Sequence, residues 1–139
     1  MNNVHYCIFC RVAAGAMPAY ILHQDEHSLA FMDSSPVAPG HAIVMAKPHV
    51  ENIFDISVPV LQAVMATVHR VAKAVNSVFL PEGLSILQSN GPGARQTVRH
   101  FHIHVLPRSA EDGLMMNWHP EPGERHVIEE AAQRIRERM

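Results

Sequence analysis

The chain has 139 residues, enough for one domain with a substantial hydrophobic core and few for a second. Hydrophobic residues make up 47% and charged residues 17%, which is the balance of a globular protein and excludes a disordered one. A net charge of −2 offers no basic field to a nucleic acid polymer, and no apolar stretch approaches the roughly 20 residues that span a bilayer. The first residues lack the basic start and apolar core of a signal peptide, so a cytoplasmic location is expected.

The first third of the sequence predicts a short helix and three strands. Residues 7–14 are expected to form the helix, which Gly15 closes. A turn at 24–26 and a loop at 34–40, rich in proline and glycine, separate the strands. The strands are expected where apolar and β-branched residues cluster: 20–23, 28–32 and 41–46.

The longest periodic signal follows Ser57, which is a suitable N-cap residue. Apolar residues recur at helical spacing from Val58 to Phe79, and Pro81 ends the pattern. Two further apolar runs predict strands: 84–88 and 101–106. A short C-terminal helix is expected after Gly123. The predicted fold class is therefore α+β, with about five mostly antiparallel strands, one long helix covering one face of the sheet and short terminal helices.

The most informative feature is the run His100-Phe101-His102-Ile103-His104. Side chains alternate along a strand, so the three histidines share one face, while the two apolar residues share the other and enter the core. A solvent-facing strand that happens to carry histidines does not account for so strict an alternation. The first and last histidines lie ~13 Å apart on a strand, too far for one metal ion to bind all three readily. At least one imidazole is left as a nucleophile or proton carrier.

A glycine-containing loop, Asn90–Thr97, directly precedes this strand. Its glycines let main-chain N–H groups approach an anion closely, and Asn90, Gln96 and Thr97 add side-chain donors. A plain hairpin connection is the alternative. Because the loop leads straight into the histidine strand, we interpret it as a phosphate cradle.

The two cysteines, Cys7 and Cys10, form a C-x-x-C pair. In a reducing compartment this pair indicates metal or redox chemistry. The spacing is that of zinc ligands, but two cysteines are only half a site. A thioredoxin-like redox pair normally lies in a βαβ unit, which the sequence does not predict. Two small apolar residues are the third interpretation.

These features together resemble the histidine triad (HIT) superfamily. Its motif, His-φ-His-φ-His-φ-φ with φ apolar, matches residues 100–106. The similarity covers roughly residues 5–108, and the tail, 109–139, is less diagnostic. The resemblance implies a single HIT domain over 1–139 with the HIT-like fold. Further segments carry the resemblance: Ile8-Phe9, Phe31–Asp33, Ser35–His41, Asn90–Pro92 and Gln96–Val98.

The resemblance implies distinct roles for the histidines. His102 matches the residue on which family enzymes form a covalent nucleotidyl intermediate, and His104 the residue that contacts the phosphate or leaving group and helps to move the proton. His41 matches a histidine that supports the site, although a structural histidine is an equal alternative.

Other residues match the family's nucleoside-binding positions. Asp33 is implied to hold the ribose hydroxyls, with a turn-forming aspartate as the alternative. Ile8, Phe9 and Met32 are implied to form the nucleobase cleft, or are simple core. Arg95 departs from the family, which usually has glycine there, and its side chain either crowds the phosphate or binds a polyphosphate.

Several bacterial-type relatives carry the same C-x-x-C pair and bind zinc. The resemblance implies a structural zinc held by Cys7, Cys10, His49 and His100, with loss of the metal from an intact fold as the alternative. It also implies a homodimer whose sheet continues across the interface. The expected function is hydrolysis of nucleoside phosphoramidates or dinucleoside polyphosphates. The competing functions are a nucleotide- and zinc-binding regulatory protein with little turnover and a nucleotidyl transferase.

Overall fold

The computed structural model describes residues 6–114 and 120–139, and these form an α+β fold, as predicted. The helices are α1 (Ile8–Ala13), α2 (Val58–Phe79) and α3 (Arg125–Arg136), with a 3₁₀ turn at Pro92–Ala94. The strands are β1 (Ile21–Gln24), β2 (Ser28–Met32), β3 (Ala42–Ala46), β4 (Gly83–Leu87) and β5 (His102–Arg108). Each strand begins and ends within two residues of its predicted bounds.

All five strands form one antiparallel sheet in the order β1-β2-β3-β5-β4. The chain leaves β3, runs back along α2 and enters the sheet again as the edge strand β4. The last strand, β5, then pairs between β3 and β4. This insertion makes the histidine strand a central strand, with a partner on each side.

One end of β5 differs from the prediction, because Pro107 was expected to close the strand and β5 instead continues to Arg108. The pairing explains the difference. β3 pairs with β5 only as far as Val105, whereas β4 pairs along it to Arg108. Beyond Val105 one side of β5 therefore has no partner strand, and a residue without an N–H group is tolerated there.

The long helix α2 covers one face of the sheet, as its apolar period predicted. The helix buries Val64, Val68, Val71 and Val75 at intervals of three or four residues. They pack on a fully covered sheet surface that includes Ala30, Val44, Ala46, Phe101, Ile103 and Val105. Burial of each valine contributes about 1.5–3 kcal/mol, so this layer supplies much of the hydrophobic stabilisation.

The short helix α1 covers part of the opposite face, on which the histidines lie. Phe9 and Val12 pack against four sheet residues: Leu29, Phe31, Ile43 and Met45. Because of this cover, His100 is fully buried and His102 is only 8% exposed. The histidine face is thus a partly enclosed site and not an open surface. No helix in the described part of the chain is long and apolar enough to cross a membrane.

Candidate active site and metal cluster

The sheet register brings the histidines of two strands together. His102 pairs with Met45 and His104 with Ile43, so β3 runs beside the second and third histidines of the run. His41, just before β3, consequently lies next to His104. Its Nε2 is 2.9 Å from Nδ1 of His104.

His102 is oriented by a main-chain carbonyl. Its Nδ1 lies 2.6 Å from the carbonyl oxygen of His100, and since a carbonyl only accepts, Nδ1 must carry the proton. In the neutral imidazole the lone pair is then on Nε2. Burial lowers the pKa of His102, which keeps the ring neutral. The edge-on ring of Phe9, with its centroid 5.0 Å away, packs against it. These contacts present a nucleophilic nitrogen in one fixed orientation.

The tautomers of His41 and His104 follow from a chain of hydrogen bonds. The main-chain N–H of Val37 donates to Nδ1 of His41 over 3.2 Å, so His41 carries its proton on Nε2. That proton is donated to Nδ1 of His104. His104 therefore carries its own proton on Nε2, where it is available to a substrate oxygen or nitrogen.

Burial keeps both of these imidazoles neutral. Loss of hydration lowers the pKa of His41, and the carboxylate of Asp33 only partly offsets it. For His104 the same desolvation, reinforced by the neighbouring His102 and His41, lowers the pKa to about 4. At neutral pH the site thus has uncharged rings, which can attack or transfer a proton without repelling one another.

Asp33 lies against the histidines. Its Oδ2 is 3.3 Å from Nε2 of His41 and 4.0 Å from Nδ1 of His104, and its Oδ1 accepts the N–H of Ser35. The contact between Asp33 and His41 was not predicted from the sequence. The side chain keeps 16% of its surface exposed, and each oxygen has a second lone pair, so a role at the ribose stays a prediction.

The predicted phosphate loop is braced by its own amide side chains. Oε1 of Gln96 accepts the N–H of Gly91, and its Nε2 donates to the carbonyl of Glu51. Asn90 accepts the N–H of Ile53 through Oδ1 and donates to Gln88 through Nδ2. Each amide nitrogen retains one N–H, so contact with phosphate stays a prediction for both residues.

Three main-chain N–H groups of this loop donate to main-chain carbonyls within it, so these three are not free to form the cradle that we expected. Those of Ala94 and Gln96 donate to the carbonyl of Gly91, and that of Arg95 donates to Pro92. The 3₁₀ turn at 92–94 causes this, since a tight turn satisfies its own donors. Thr97, the third predicted donor, lines a different cavity, beside Cys7 and His49.

The three residues predicted for the nucleobase cleft line one cavity. Ile8 and Phe9 from α1 and Met32 from β2 border a space of about 290 Å³ that also reaches Tyr20 and Ser34. The lining is mostly apolar, and its volume suits a flat heterocycle. Phe9 also belongs to the core, and binding of a nucleobase in this cavity stays a prediction.

The four predicted metal ligands form one cluster. The ligand atoms of Cys7, Cys10, His49 and His100 all lie within 4.8 Å of one another. Sγ of Cys10 is 3.1 Å from Nδ1 of His49 and 3.5 Å from Nδ1 of His100, and Sγ of Cys7 is 3.4 Å from the same atom of His100. Segments some 90 residues apart in sequence thus contribute to one site.

The donor set fits a zinc ion. Two thiols and two imidazoles are a common tetrahedral combination. Nε2 of His100 bonds to the carbonyl of Ala46 and must donate to it, which leaves the lone pair of Nδ1 facing the cysteines. Burial, together with the adjacent Cys7, raises the pKa of the Cys10 thiol to about 12. A divalent cation would favour the thiolate instead.

A second cluster, Asp33, His41 and His104, is also close enough to surround an ion. The hydrogen bonds within this cluster argue against binding of a metal ion. Because Val37 donates to Nδ1 of His41, the Nε2 atom facing the cluster holds a proton and has no lone pair to offer. The close approach of the two imidazoles is accounted for by the hydrogen bond between them.

A family model described as the HIT domain matches residues 14–111, well over half of the chain. The chain belongs to the HIT domain family. This HIT protein is 38% identical to protein Hit of Bacillus subtilis over 119 residues, which span 85% of this chain and 82% of that protein. It is 36% identical to an adenosine 5′-monophosphoramidase of Schizosaccharomyces pombe over 113 residues, 81% of this chain and 82% of that one.

Solved structures of HIT proteins share the fold. A HIT family member from Bacillus subtilis superposes with a TM-score of 0.90 at 34% identity, over 96% of both chains. A zinc-bound histidine triad family protein from Mycobacterium smegmatis superposes with a TM-score of 0.75 at 31% identity, over 85% of this chain and 86% of that one.

Three main-chain groups of this HIT site were not predicted from the sequence. They are the carbonyls of Ala46 and His100 and the amide of Val37, each of which sets the tautomer of a histidine. A main-chain group has no side-chain signature by which to find it. For Val37 one signal was available, since prolines at 36 and 39 indicate a rigid loop directly before His41.

Proposed function

We propose that this HIT protein hydrolyses nucleoside phosphoramidates or dinucleoside polyphosphates at the α-phosphorus, through a covalent nucleotidyl-His102 intermediate. One observation carries the proposal, namely the 2.6 Å hydrogen bond from Nδ1 of His102 to the carbonyl of His100. It leaves the Nε2 lone pair of a buried, neutral imidazole as the nucleophile. The similarity to a phosphoramidase supports the same class of substrate.

In the first step Nε2 of His102 attacks phosphorus. A phosphorus–nitrogen bond forms, and the bond between phosphorus and the leaving group breaks. The ring becomes positively charged, and its Nδ1–H bond to the carbonyl of His100 stabilises that charge. An amine leaving group takes the proton from Nε2 of His104, within reach of the same phosphate. The nucleobase lies in the apolar cavity between α1 and β2.

In the second step water attacks the same phosphorus. The phosphorus–nitrogen bond breaks, His102 recovers its lone pair, and a nucleoside monophosphate leaves. After an amine has left, the water proton passes to Nε2 of His104, which had lost its proton in the first step. After a polyphosphate has left, His104 still holds its proton, and the water proton is released to solvent with the product. In both cases the site returns to its starting state. His41 holds the ring of His104 in one tautomer throughout. Two displacements thus replace one difficult hydrolysis.

We propose that the Cys7–Cys10–His49–His100 cluster holds a structural zinc ion. Four protein ligands would fill the tetrahedral sphere and leave no open position for a substrate. The bound ion would cross-link α1 to the start of the histidine strand. His100 would then be held on both sides, by the metal at Nδ1 and by Ala46 at Nε2.

We also propose a cytoplasmic homodimer. The cytoplasm supplies nucleotides and keeps Cys7 and Cys10 reduced. In the described sheet β4 is an edge strand with unpaired main-chain groups, and Ile86 on it is 42% exposed. Pairing of two such edges would continue the sheet from one chain to the other. Light scattering on the purified protein tests the stoichiometry.

The decisive experiment combines turnover with trapping of the intermediate. The protein is mixed with adenosine 5′-phosphoramidate or diadenosine tetraphosphate, quenched in alkaline denaturant and digested for mass spectrometry. We expect an adenylyl adduct on His102 and a loss of turnover of at least ~10³-fold in His102→Ala. His69→Ala, which removes an exposed histidine on α2, is the matched control.

The competing functions give different outcomes. Nucleotide binding without turnover supports a regulatory protein, and transfer of the nucleotidyl group to a phosphate acceptor in preference to water supports a transferase. Turnover that is unchanged in His102→Ala contradicts the proposed mechanism.

A further inference from the structure

A second cavity borders His41 and His104. It has a volume of about 300 Å³ and is lined by His41 and His104, by Ser89 and by two arginines, Arg95 and Arg108. It shares no lining residue with the nucleobase cavity between α1 and β2. A nucleotide bound in the first cavity and attacked beside His104 therefore has a separate space for its leaving group.

The two arginines contribute differently to the charge of this cavity. Arg108 forms a bidentate ion pair with Asp112, with distances of 2.6 and 3.2 Å, and also donates to the carbonyl of Leu114. Its charge is thus neutralised. Arg95 has no ion pair among residues 6–114 and 120–139. Since His41 and His104 are neutral, its guanidinium is the one uncompensated charge in the described lining.

The backbone of Arg95 is in a conformation that an arginine adopts only at a cost. Its φ of 58° and ψ of 39° are left-handed, a conformation that is less favourable for a residue with a side chain than for glycine. The turn enforces this conformation, because the N–H of Arg95 donates to Pro92 and that of Gln96 to Gly91. A strained non-glycine residue that lines a catalytic cavity is a candidate for a functional role.

We propose that Arg95 binds an anionic leaving group in this cavity, and so directs the enzyme to nucleotides whose leaving group carries phosphate. The inference rests on the proposed function and narrows its substrate class. When His102 displaces a nucleoside polyphosphate, the phosphorus–oxygen bond breaks and the departing oxygen gains negative charge. A guanidinium can accept two phosphate oxygens at once and stabilise that charge. An amine leaving group needs a proton from His104 and no counter-charge.

The test compares two substrates in three proteins. Specificity constants are measured for diadenosine tetraphosphate and adenosine 5′-phosphoramidate with the wild type, Arg95→Gly and Arg95→Asn. Glycine and asparagine both tolerate the left-handed conformation, so the turn is preserved. Arg70→Asn, which removes an exposed arginine from α2 on the opposite face of the sheet, is the matched control.

We expect the ratio of the two specificity constants, polyphosphate over phosphoramidate, to fall about 10- to 100-fold in both Arg95 variants. This is the loss typical of one charge-assisted hydrogen-bonded contact. Arg70→Asn should retain the wild-type ratio. A ratio within about threefold of wild type in both Arg95 variants overturns the proposal.

Binding of inorganic tripolyphosphate, measured by calorimetry, tests the anion site independently of turnover. We expect the dissociation constant to rise at least ~10-fold in Arg95→Gly and to stay unchanged in Arg70→Asn. An equal affinity in wild type and Arg95→Gly overturns the site. If the wild type binds tripolyphosphate through Arg95 but hydrolyses neither nucleotide, the proposed function fails while the anion site stands.

Discussion

His102 donates its Nδ1 proton to the main-chain carbonyl of His100 across 2.6 Å, while the ring of His100 faces two cysteines. One residue of the triad therefore belongs to the candidate metal cluster and at the same time orients the proposed nucleophile. His100, two residues before the start of β5, is the physical link, because its main-chain carbonyl accepts from His102 while its side-chain ring faces the cysteines. Stability of the cluster and geometry of the attacking nitrogen are coupled through it.

The hydrogen-bond partners predict the tautomer of each histidine that we propose to be catalytic. We expect His102 to carry its proton on Nδ1, and His41 and His104 to carry theirs on Nε2, because a carbonyl only accepts and the N–H of Val37 only donates. Two-bond proton–nitrogen correlation spectra of the labelled protein at pH 7.5 distinguish the two forms. An Nε2-protonated His102 would contradict the proposed nucleophile.

Removal of zinc should lower the stability of the fold more than it lowers kcat. A ligand bound only by the folded state adds about 3 kcal/mol when its concentration is 100 times its dissociation constant. We expect close to one zinc per chain in protein never exposed to chelator, and a lower unfolding midpoint after chelation. Elemental analysis and thermal unfolding measure the two quantities.

Substitution of a single ligand tests the same cluster. His49→Ala should lower both the zinc content and the midpoint, and its effect on kcat should be smaller than its effect on stability. His69→Ala should retain the metal, since His69 lies on α2, away from the cluster. Only a trace of zinc in the untreated wild type would refute the metal prediction.

Stability should fall as the pH drops from about 6.5 towards 4. Burial lowers the pKa of His104 to about 4, against 6.5 for a free histidine, so the unfolded chain binds more protons in this window. The stabilisation from the neutral ring is thus complete above pH 6.5 and is lost towards pH 4, a change on the order of 2 kcal/mol.

Denaturant titrations at several pH values measure this slope. In His104→Gln the free energy of unfolding should depend less steeply on pH between 6.5 and 4, because the variant lacks the titrating ring. His69→Gln should retain the wild-type slope. Identical slopes in wild type and His104→Gln would show that His104 is not held neutral by the fold.

Gly40, directly before His41, should not accept a side chain. Its φ is +92°, and an added Cβ would lie 2.7 and 2.8 Å from two ring carbons of Phe79. Gly40→Ala should cost about 2–4 kcal/mol, combining left-handed strain with overpacking. Gly15→Ala has a similar φ of +71° and no neighbour within 4 Å, so only the strain of about 1–2 kcal/mol is expected. Equal losses in urea titrations would argue against the contact with Phe79.

The local elements were predictable because their signals lie within a few neighbouring residues. The period of α2 from Val58 to Phe79 and the alternation along the histidine strand follow from helix and strand geometry alone. The order of strands was not predictable from these local signals, since no residue pattern near β4 or β5 indicates which of the two strands pairs with β3. That order depends on which apolar faces α2 and α1 cover together.

The sequence by itself determined the family and the strand that carries the triad, and through the family resemblance it predicted His102 as the attacking histidine. Only the tertiary structure decided the protonation pattern, because it depends on which main-chain groups face each ring: the carbonyls of Ala46 and His100 and the N–H of Val37. It also decided that Arg108 is neutralised by Asp112, while Arg95 has no ion pair within the described residues. Periodicity is a property of neighbouring residues, whereas proton positions and charge balance depend on atoms that only folding brings within hydrogen-bonding distance.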